Sequence, residues 1–100
     1  MKTLTELAHE INYYANTNFD IRPIWEDNTL KYLMYVVTEL AEAMESWRDN
    51  NREHFGEELA DAVIRIFDMT TALGINIELE IEKKMEKNWL RSRNHGRAQV

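Results

Sequence analysis

The sequence predicts an all-α fold, a four-helix bundle with an antiparallel central helix pair. Apolar residues recur at helical spacing along most of the 100 residues, and only three glycines and one proline interrupt them. No alternating run of apolar and polar residues is long enough to indicate a sheet. The length suits a single domain spanning residues 1–100, with room for one hydrophobic core.

The first predicted helix covers residues 3–16, where Thr3 and Glu6 match a capping box. Its apolar residues at helical spacing are Leu4, Leu7, Ala8, Ile11, Tyr14 and Ala15. The chain is then expected to be irregular as far as Asp27, because Pro23 excludes a regular helix through the middle of this segment.

Two long central helices are predicted next, one from Asn28 to about Arg48 and one from about Arg52 to Leu73. Asn28 is a favourable N-cap, and Gly74 is a favourable stop. In each helix the apolar residues cover an arc of roughly 200°, which is wider than a helix needs when it buries one side. The sequence therefore predicts burial on a second side, in a homo-oligomer.

The fourth predicted helix starts near Asn76. Acidic residues precede basic residues along it, an order that the helix dipole favours: Glu78 and Glu80, then Lys83, Lys84 and Lys87. The tail from Asn94 onward is expected to be irregular.

Composition narrows the function classes. The net charge of -6 argues against binding a nucleic-acid polymer. The absence of cysteine excludes disulfides, a thiol nucleophile and a cysteine-ligated zinc site. No signal peptide or membrane span is evident, so we expect a cytoplasmic protein without membrane contact. Six of the 12 basic residues lie between positions 83 and 97, which suits either a small anionic ligand or a solvated charged tail.

Two acidic pairs stand in the central helices, Glu39 with Glu42 and Glu58 with Asp61. A spacing of three residues places both members of a pair on one helix face. The short break between the helices makes them antiparallel neighbours, so the two pairs can face each other. Converging carboxylates repel one another unless a cation lies between them, and Mg²⁺ prefers such oxygen ligands, with Mn²⁺ as its substitute. Acidic pairs also arise by chance on exposed helix faces.

Other metals and residues are less favoured. Iron or zinc is disfavoured because no ExxH or HxxxH pattern accompanies the acids. The three histidines, His9, His54 and His95, form no evident ligand set. Arg65 and Asp68 either orient the acids or substrate or form an exposed i,i+3 ion pair.

Four segments occur in a fixed order: Glu39-x-x-Glu42 within Glu-Leu-Ala-Glu-Ala, Glu58-x-x-Asp61 within Glu-Glu-Leu-Ala-Asp-Ala-Val-Ile-Arg, Gly74-Ile75-Asn76-Ile77, and Lys84-Met85-Glu86-Lys87-Asn88. With these segments the chain resembles the MazG-like all-α nucleoside triphosphate pyrophosphohydrolases over about residues 30–96. The resemblance implies a dimer or tetramer in which the four acids bind Mg²⁺. It also implies hydrolysis between the α and β phosphates, often of deoxynucleotides or damaged nucleotides.

The resemblance also suggests roles for individual residues. Lys84, Asn88 and Arg91 match the Lys/Asn/Arg elements of the family and would bind phosphate. Position alone, and not the resemblance, makes Glu42 the candidate general base, with Glu39 as the second catalytic carboxylate. Thr38 stands where many members have a further glutamate, which leaves the identity of the base open.

Aromatic residues are candidates for stacking on a base. Trp25 and Tyr35 are the first choices, and Phe19 lies in the same linker as Trp25. Linker aromatics also serve to close the end of a core, and Trp47 is expected in the core. Two other functions remain open: a non-catalytic helical oligomer that acts as a nucleotide-binding or protein-interaction module, and a phosphoribosyl-ATP pyrophosphohydrolase.

Overall fold

The computed structural model describes residues 1–18 and 28–95, with side chains for residues 1–15 and 28–91. Four α-helices and no strands occur in these ranges: α1 (Leu4–Asn18), α2 (Thr29–Arg48), α3 (Arg52–Ala72) and α4 (Ile77–His95). The all-α prediction is therefore confirmed. Phe19, Pro23 and Trp25, on which the predicted linker depends, lie outside the described residues.

A capping box starts α1, as the sequence predicts. The Thr3 N–H donates to Glu6 Oε1 at 2.8 Å, and the Glu6 N–H donates to Thr3 Oγ1 at 3.1 Å. The pKa of Glu6 is lowered mainly by the hydrogen bond that its carboxylate accepts from the Thr3 backbone, followed by the interaction with the Thr3 side chain.

The connection between α2 and α3 is a tight turn. Asn50 adopts a left-handed conformation with φ of 59°, which asparagine tolerates better than most residues. Asn51 then caps α3, because its side chain accepts a hydrogen bond from the His54 N–H at 3.1 Å. A turn of this length reverses the chain and places α2 and α3 side by side.

The connection between α3 and α4 turns at Gly74, whose φ of 75° is left-handed. Asn76 caps α4 by accepting a hydrogen bond from the Leu79 N–H at 3.1 Å. Helix α4 continues to His95, so the prediction that Asn94 and His95 are irregular is wrong. The reason is that no glycine or proline occurs within α4 to end it earlier.

Helix α3 lies at the centre of the fold. Among the described residues it contacts α1, α2 and α4, whereas α2 contacts neither α1 nor α4. The α2–α3 pairing is the most extensive, and Tyr32 packs there against Met69. Ala43 of α2 and Ala62 of α3 are both 3% exposed, and their small side chains allow a close approach of neighbouring helices.

Helix α2 turns a mixed polar stripe inward and an apolar surface outward. Its buried residues are Tyr32, Val36, Glu39, Ala43 and Ser46. Its outer apolar surface is formed by Leu33, Met34, Val37, Leu40 and Met44, all more than 40% exposed. Trp47 is also half-exposed, so its predicted place in the core is wrong for the single chain. The cause is that, among the four described helices, α2 packs against α3 alone.

The chain is extended for its length. Its radius of gyration is 16.1 Å, whereas a compact domain of this size has about 13 Å. Large exposed apolar side chains also occur on α3 and α4: Leu59, Val63, Ile64, Leu79, Ile81, Met85, Trp89 and Leu90. No described helix is long and apolar enough to cross a bilayer. The four-helix bundle, assembled as a homo-oligomer, stays a prediction.

Candidate metal centre

Three carboxylates meet between α2 and α3. One oxygen from each of Glu39, Glu58 and Asp61 lies within 4.8 Å of the other two. Glu39 is 8% exposed and Glu58 is 6% exposed, while Asp61 is open to solvent. The antiparallel pairing brings Glu39 of α2 opposite the i,i+3 pair of α3, as the spacing predicts. We call these three residues the acidic cluster.

The fourth predicted ligand, Glu42, lies beside the acidic cluster. Its side chain is exposed, and it is not one of the three carboxylates that meet within 4.8 Å. It is nevertheless close enough to Glu58 for the two carboxyl groups to share a hydrogen bond when one of them carries a proton. Glu42 therefore belongs to the rim of the site.

Burial disfavours negative charge on the two glutamates of the acidic cluster. It is the largest cause that raises the pKa of Glu39 above its ordinary value of 4.5. Arg65 opposes this shift, and Asp61 and Glu42 add to it. Burial also raises the pKa of Glu58, followed by the hydrogen bond and charge of Glu42, while His54 opposes the rise. A proton or a bound cation would reduce the cost of these buried negative charges.

The two carboxylate oxygens of Glu58 have different surroundings. Its Oε1 lies 3.1 Å from His54 Nε2. Its Oε2 is buried and, among the described residues, has no hydrogen-bond donor. A buried acceptor without a donor is unusual and costly, and a metal ion is one way to satisfy it. An all-oxygen donor set containing such an atom fits a hard divalent cation such as Mg²⁺.

Arg65 connects the acidic cluster to a tyrosine. Its Nε lies 3.9 Å from Glu39 Oε1, and its guanidinium lies 4.9 Å from the centre of the Tyr35 ring. Asp68 is buried and accepts a hydrogen bond from Asn12 Nδ2 at 2.8 Å. The alternative prediction of an exposed Arg65–Asp68 ion pair is therefore wrong. The Asp68 side chain faces α1, whereas the Arg65 side chain faces α2.

His54 is a residue of the site that the sequence analysis passed over. Besides its contact with Glu58, its Nδ1 lies 3.0 Å from Ser46 Oγ. The available signal was the i,i+4 spacing of His54 and Glu58 on one helix face. ExxH and HxxxH patterns do not include this spacing, in which the histidine contacts a carboxylate of its own helix.

The predicted phosphate-binding residues do not join the acidic cluster within one chain. Lys84, Asn88 and Arg91 lie on α4, and no contact between α4 and α2 occurs in the part of the chain that the structure describes. The role of these three residues stays a prediction.

Of the predicted base-binding residues, Trp25 lies outside the described residues. Tyr35 is half-buried next to the site and packs edge to face against Tyr32, with ring centres 5.2 Å apart and planes at 81°.

A separate cavity of about 190 Å³ lies where α1 begins and α3 turns into α4. Its lining residues are Thr5, Ala8, His9, Thr71, Gly74, Ile75, Asn76 and Ile77. None of them belongs to the acidic cluster, so this cavity is distinct from the candidate metal centre.

Fold and site together define an all-α protein with three carboxylates gathered between two antiparallel helices. No family model, curated protein or solved structure matches the chain.

Proposed function

We propose that this chain is a magnesium-dependent nucleoside triphosphate pyrophosphohydrolase of the MazG-like type. It would cleave the bond between the α and β phosphates and release a nucleoside monophosphate and pyrophosphate. Deoxynucleotides are the preferred substrates in this proposal, in cytoplasmic house-cleaning of the nucleotide pool. The observation that carries it is the acidic cluster with its unsatisfied Glu58 Oε2.

The residues that would hold the cation are Glu39, Glu58 and Asp61, with Glu42 at the rim. Their carboxylate oxygens suit Mg²⁺, and Mn²⁺ would replace it. When bound, the cation supplies charge neutralisation at the phosphates. The same ion would offset the burial and the neighbouring negative charges that raise the pKa values of Glu39 and Glu58.

Glu42 is the proposed general base. Because it is exposed and lies outside the group of three, its carboxylate remains accessible to water and substrate. A water oxygen would attack the α phosphorus while Glu42 accepts the water proton. The bond from that phosphorus to the αβ bridging oxygen then breaks, and pyrophosphate leaves with its electron pair. Glu39, held by Arg65, would keep its carboxylate oriented throughout.

The proposal includes a homo-oligomer, a dimer or a tetramer. The outer apolar surface of α2, the exposed apolar side chains of α4 and the large radius of gyration support it. Assembly would also complete the substrate site. Lys84, Asn88 and Arg91 are not brought to α2 within one chain, so we propose that α4 of a neighbouring subunit carries them to the phosphates.

Product analysis tests the reaction. The protein is incubated with Mg²⁺ and a panel of ribo- and deoxynucleoside triphosphates, and the products are identified by ³¹P NMR. We expect monophosphate and pyrophosphate, with at least a 100-fold loss of rate in Glu58→Gln and Glu42→Gln, on the order of the effects of removing essential catalytic groups. Glu53→Gln, an exposed glutamate in the first turn of α3, is the matched control and should retain activity.

An intact panel with folded protein would contradict a nucleoside triphosphate substrate. Phosphoribosyl-ATP is then added as the next substrate, since its cleavage would identify the related pyrophosphohydrolase. If that compound also stays intact, a non-catalytic nucleotide-binding or protein-interaction module remains. Cleavage that persists in both Glu58→Gln and Glu42→Gln would exclude the acidic cluster as its site.

A further inference from the structure

Ser46, His54 and Glu58 form a chain of polar contacts from α2 to α3, a hydrogen bond between Ser46 and His54 and an ion-pair contact between His54 and Glu58. Ser46 Oγ lies 3.0 Å from His54 Nδ1, and His54 Nε2 lies 3.1 Å from Glu58 Oε1. Ser46 is 6% exposed and Glu58 is equally buried, whereas the histidine ring is half-exposed. The three side chains therefore begin in the helix interface and end at the acidic cluster.

The Ser46–His54 hydrogen bond takes its direction from the tautomer of His54. A carboxylate oxygen can only accept, so the tautomer of His54 that attracts Glu58 Oε1 is the one with its hydrogen on Nε2. In the neutral ring Nδ1 then carries a lone pair, and the Ser46 hydroxyl donates to it. Ser46 thus favours the tautomer that donates to Glu58, as the hydrogen-bond partners of metal-site residues commonly do.

We propose that His54, oriented by Ser46, is a positioning residue that holds Glu58 Oε1 and leaves Oε2 to the divalent cation. The inference rests on the proposed magnesium site and adds two residues to it. It accounts for the unequal surroundings of the two Glu58 oxygens: Oε1 lies 3.1 Å from His54 Nε2, whereas Oε2 has no hydrogen-bond partner among the described residues. His54 itself is not one of the residues that meet within 4.8 Å, which separates its role from that of a ligand.

The test measures Mn²⁺ binding to the full chain without nucleotide, by electron paramagnetic resonance. A pair of variants separates the two nitrogens, because the amide nitrogen of glutamine reaches about as far as Nε2 and that of asparagine about as far as Nδ1. His54→Asn should bind Mn²⁺ about 10-fold more weakly than wild type. His54→Gln should recover most of the affinity, and Ser46→Ala should show a smaller loss than His54→Asn.

Two controls accompany the series. His9→Asn removes an exposed histidine far from the acidic cluster and should bind like wild type. Circular dichroism and thermal unfolding establish that each variant is folded. If His54→Asn does not fold, Ser46→Ala decides, since an affinity equal to that of wild type would overturn the proposal.

The outcomes distinguish this inference from the proposed function. Wild-type affinity in His54→Asn, or an equal loss in His54→Gln, overturns the positioning role while the metal site stands. A wild-type protein that does not bind Mn²⁺, or a Glu58→Gln variant that binds it equally well, overturns the proposed magnesium site and the positioning role with it.

Discussion

Arg65 Nε lies 3.9 Å from Glu39 Oε1, and this contact joins α3 to α2 beside the acidic cluster. The guanidinium also covers the Tyr35 ring, so the arginine is held from both sides. Its positive charge is the main influence that lowers the pKa of Glu39 against the effect of burial. Arg65 therefore partly offsets the negative charge of the acidic cluster.

Removing that compensation should change the titration of Glu39. In Arg65→Gln we expect the pKa of Glu39 to rise above its wild-type value, because the largest opposing influence is lost. Carboxyl ¹³C NMR of the metal-free protein measures it. Arg52→Gln is the control, since Arg52 lies over the Trp47 ring instead. An unchanged or lower pKa in Arg65→Gln would contradict the contact.

The raised pKa values predict how stability depends on pH without metal. A group whose folded pKa exceeds its unfolded value of 4.5 stabilises the fold below that pH, and this contribution is lost as pH rises through the folded pKa. Glu39→Gln removes the titrating group. Relative to wild type, Glu39→Gln should therefore be more stable at pH 7 than at pH 4.5. In other words, the free energy of unfolding of the variant minus that of wild type should be larger at pH 7.

Urea unfolding with a metal chelator measures both proteins at equal concentration. Asp49→Asn, an exposed acid at the end of α2, is the control for loss of a charge. The prediction is contradicted if the free energy of unfolding of Glu39→Gln minus that of wild type is larger at pH 4.5 than at pH 7.

Close packing of α2 against α3 should be needed for metal binding. Ala62 is 3% exposed, one residue after Asp61, so a larger side chain there would press against the neighbouring helices. We expect Ala62→Leu to lower the free energy of unfolding by about 1–3 kcal/mol. It should also weaken Mn²⁺ binding, because Glu39 and Glu58 lie on different helices.

Urea unfolding and Mn²⁺ titration test this pair of effects. Ala72→Leu places the same side chain at an exposed position at the end of α3 and should leave both quantities near wild type. Unchanged stability and affinity in Ala62→Leu would show that the helix interface tolerates the added volume.

The outer apolar surface of α2 should be buried in an oligomer. Val37 lies at its centre and is 52% exposed in the single chain. A glutamate at this position is easily solvated in a free chain, but burying its charge at an interface would be costly. We expect light scattering to give a multiple of 11.9 kDa for wild type and a clearly smaller mass for Val37→Glu.

Lys31→Glu is the matched control, since it introduces the same side chain at an exposed polar position of α2. It should keep the wild-type mass. A wild-type mass equal to one chain, or a Val37→Glu mass equal to that of wild type, would count against burial of this surface.

The helices and their ends could be predicted from local sequence. The capping box of Thr3 and Glu6, the Asn51 cap and the stop at Gly74 depend on residues within one turn of each other. The end of α4 is an exception, because the tail was predicted to be irregular from Asn94 onward and the helix continues to His95. Local hydrogen bonds and backbone preferences govern such features, and the sequence displays them directly.

The meeting of Glu39 with Glu58 and Asp61 was predictable because helix periodicity and a short turn leave few arrangements open. The separate position of Glu42 was not, because it depends on the rotation of α2 about its axis. Nor was the contact between His54 and Ser46, which requires the register of the two helices. Nor did the sequence indicate that Asp68 is buried and accepts a hydrogen bond from Asn12 of α1.

By itself the sequence determined the all-α class, the bounds of the central helices and the i,i+3 acid pairs, because these follow from local periodicity. Only the tertiary structure decided that α2 turns Glu39 inward and Val37 outward, and that Glu58 has one oxygen held by His54 and one unsatisfied. The physical reason is that an apolar arc of about 200° allows several rotations of a helix. Packing against α3 selects one of them.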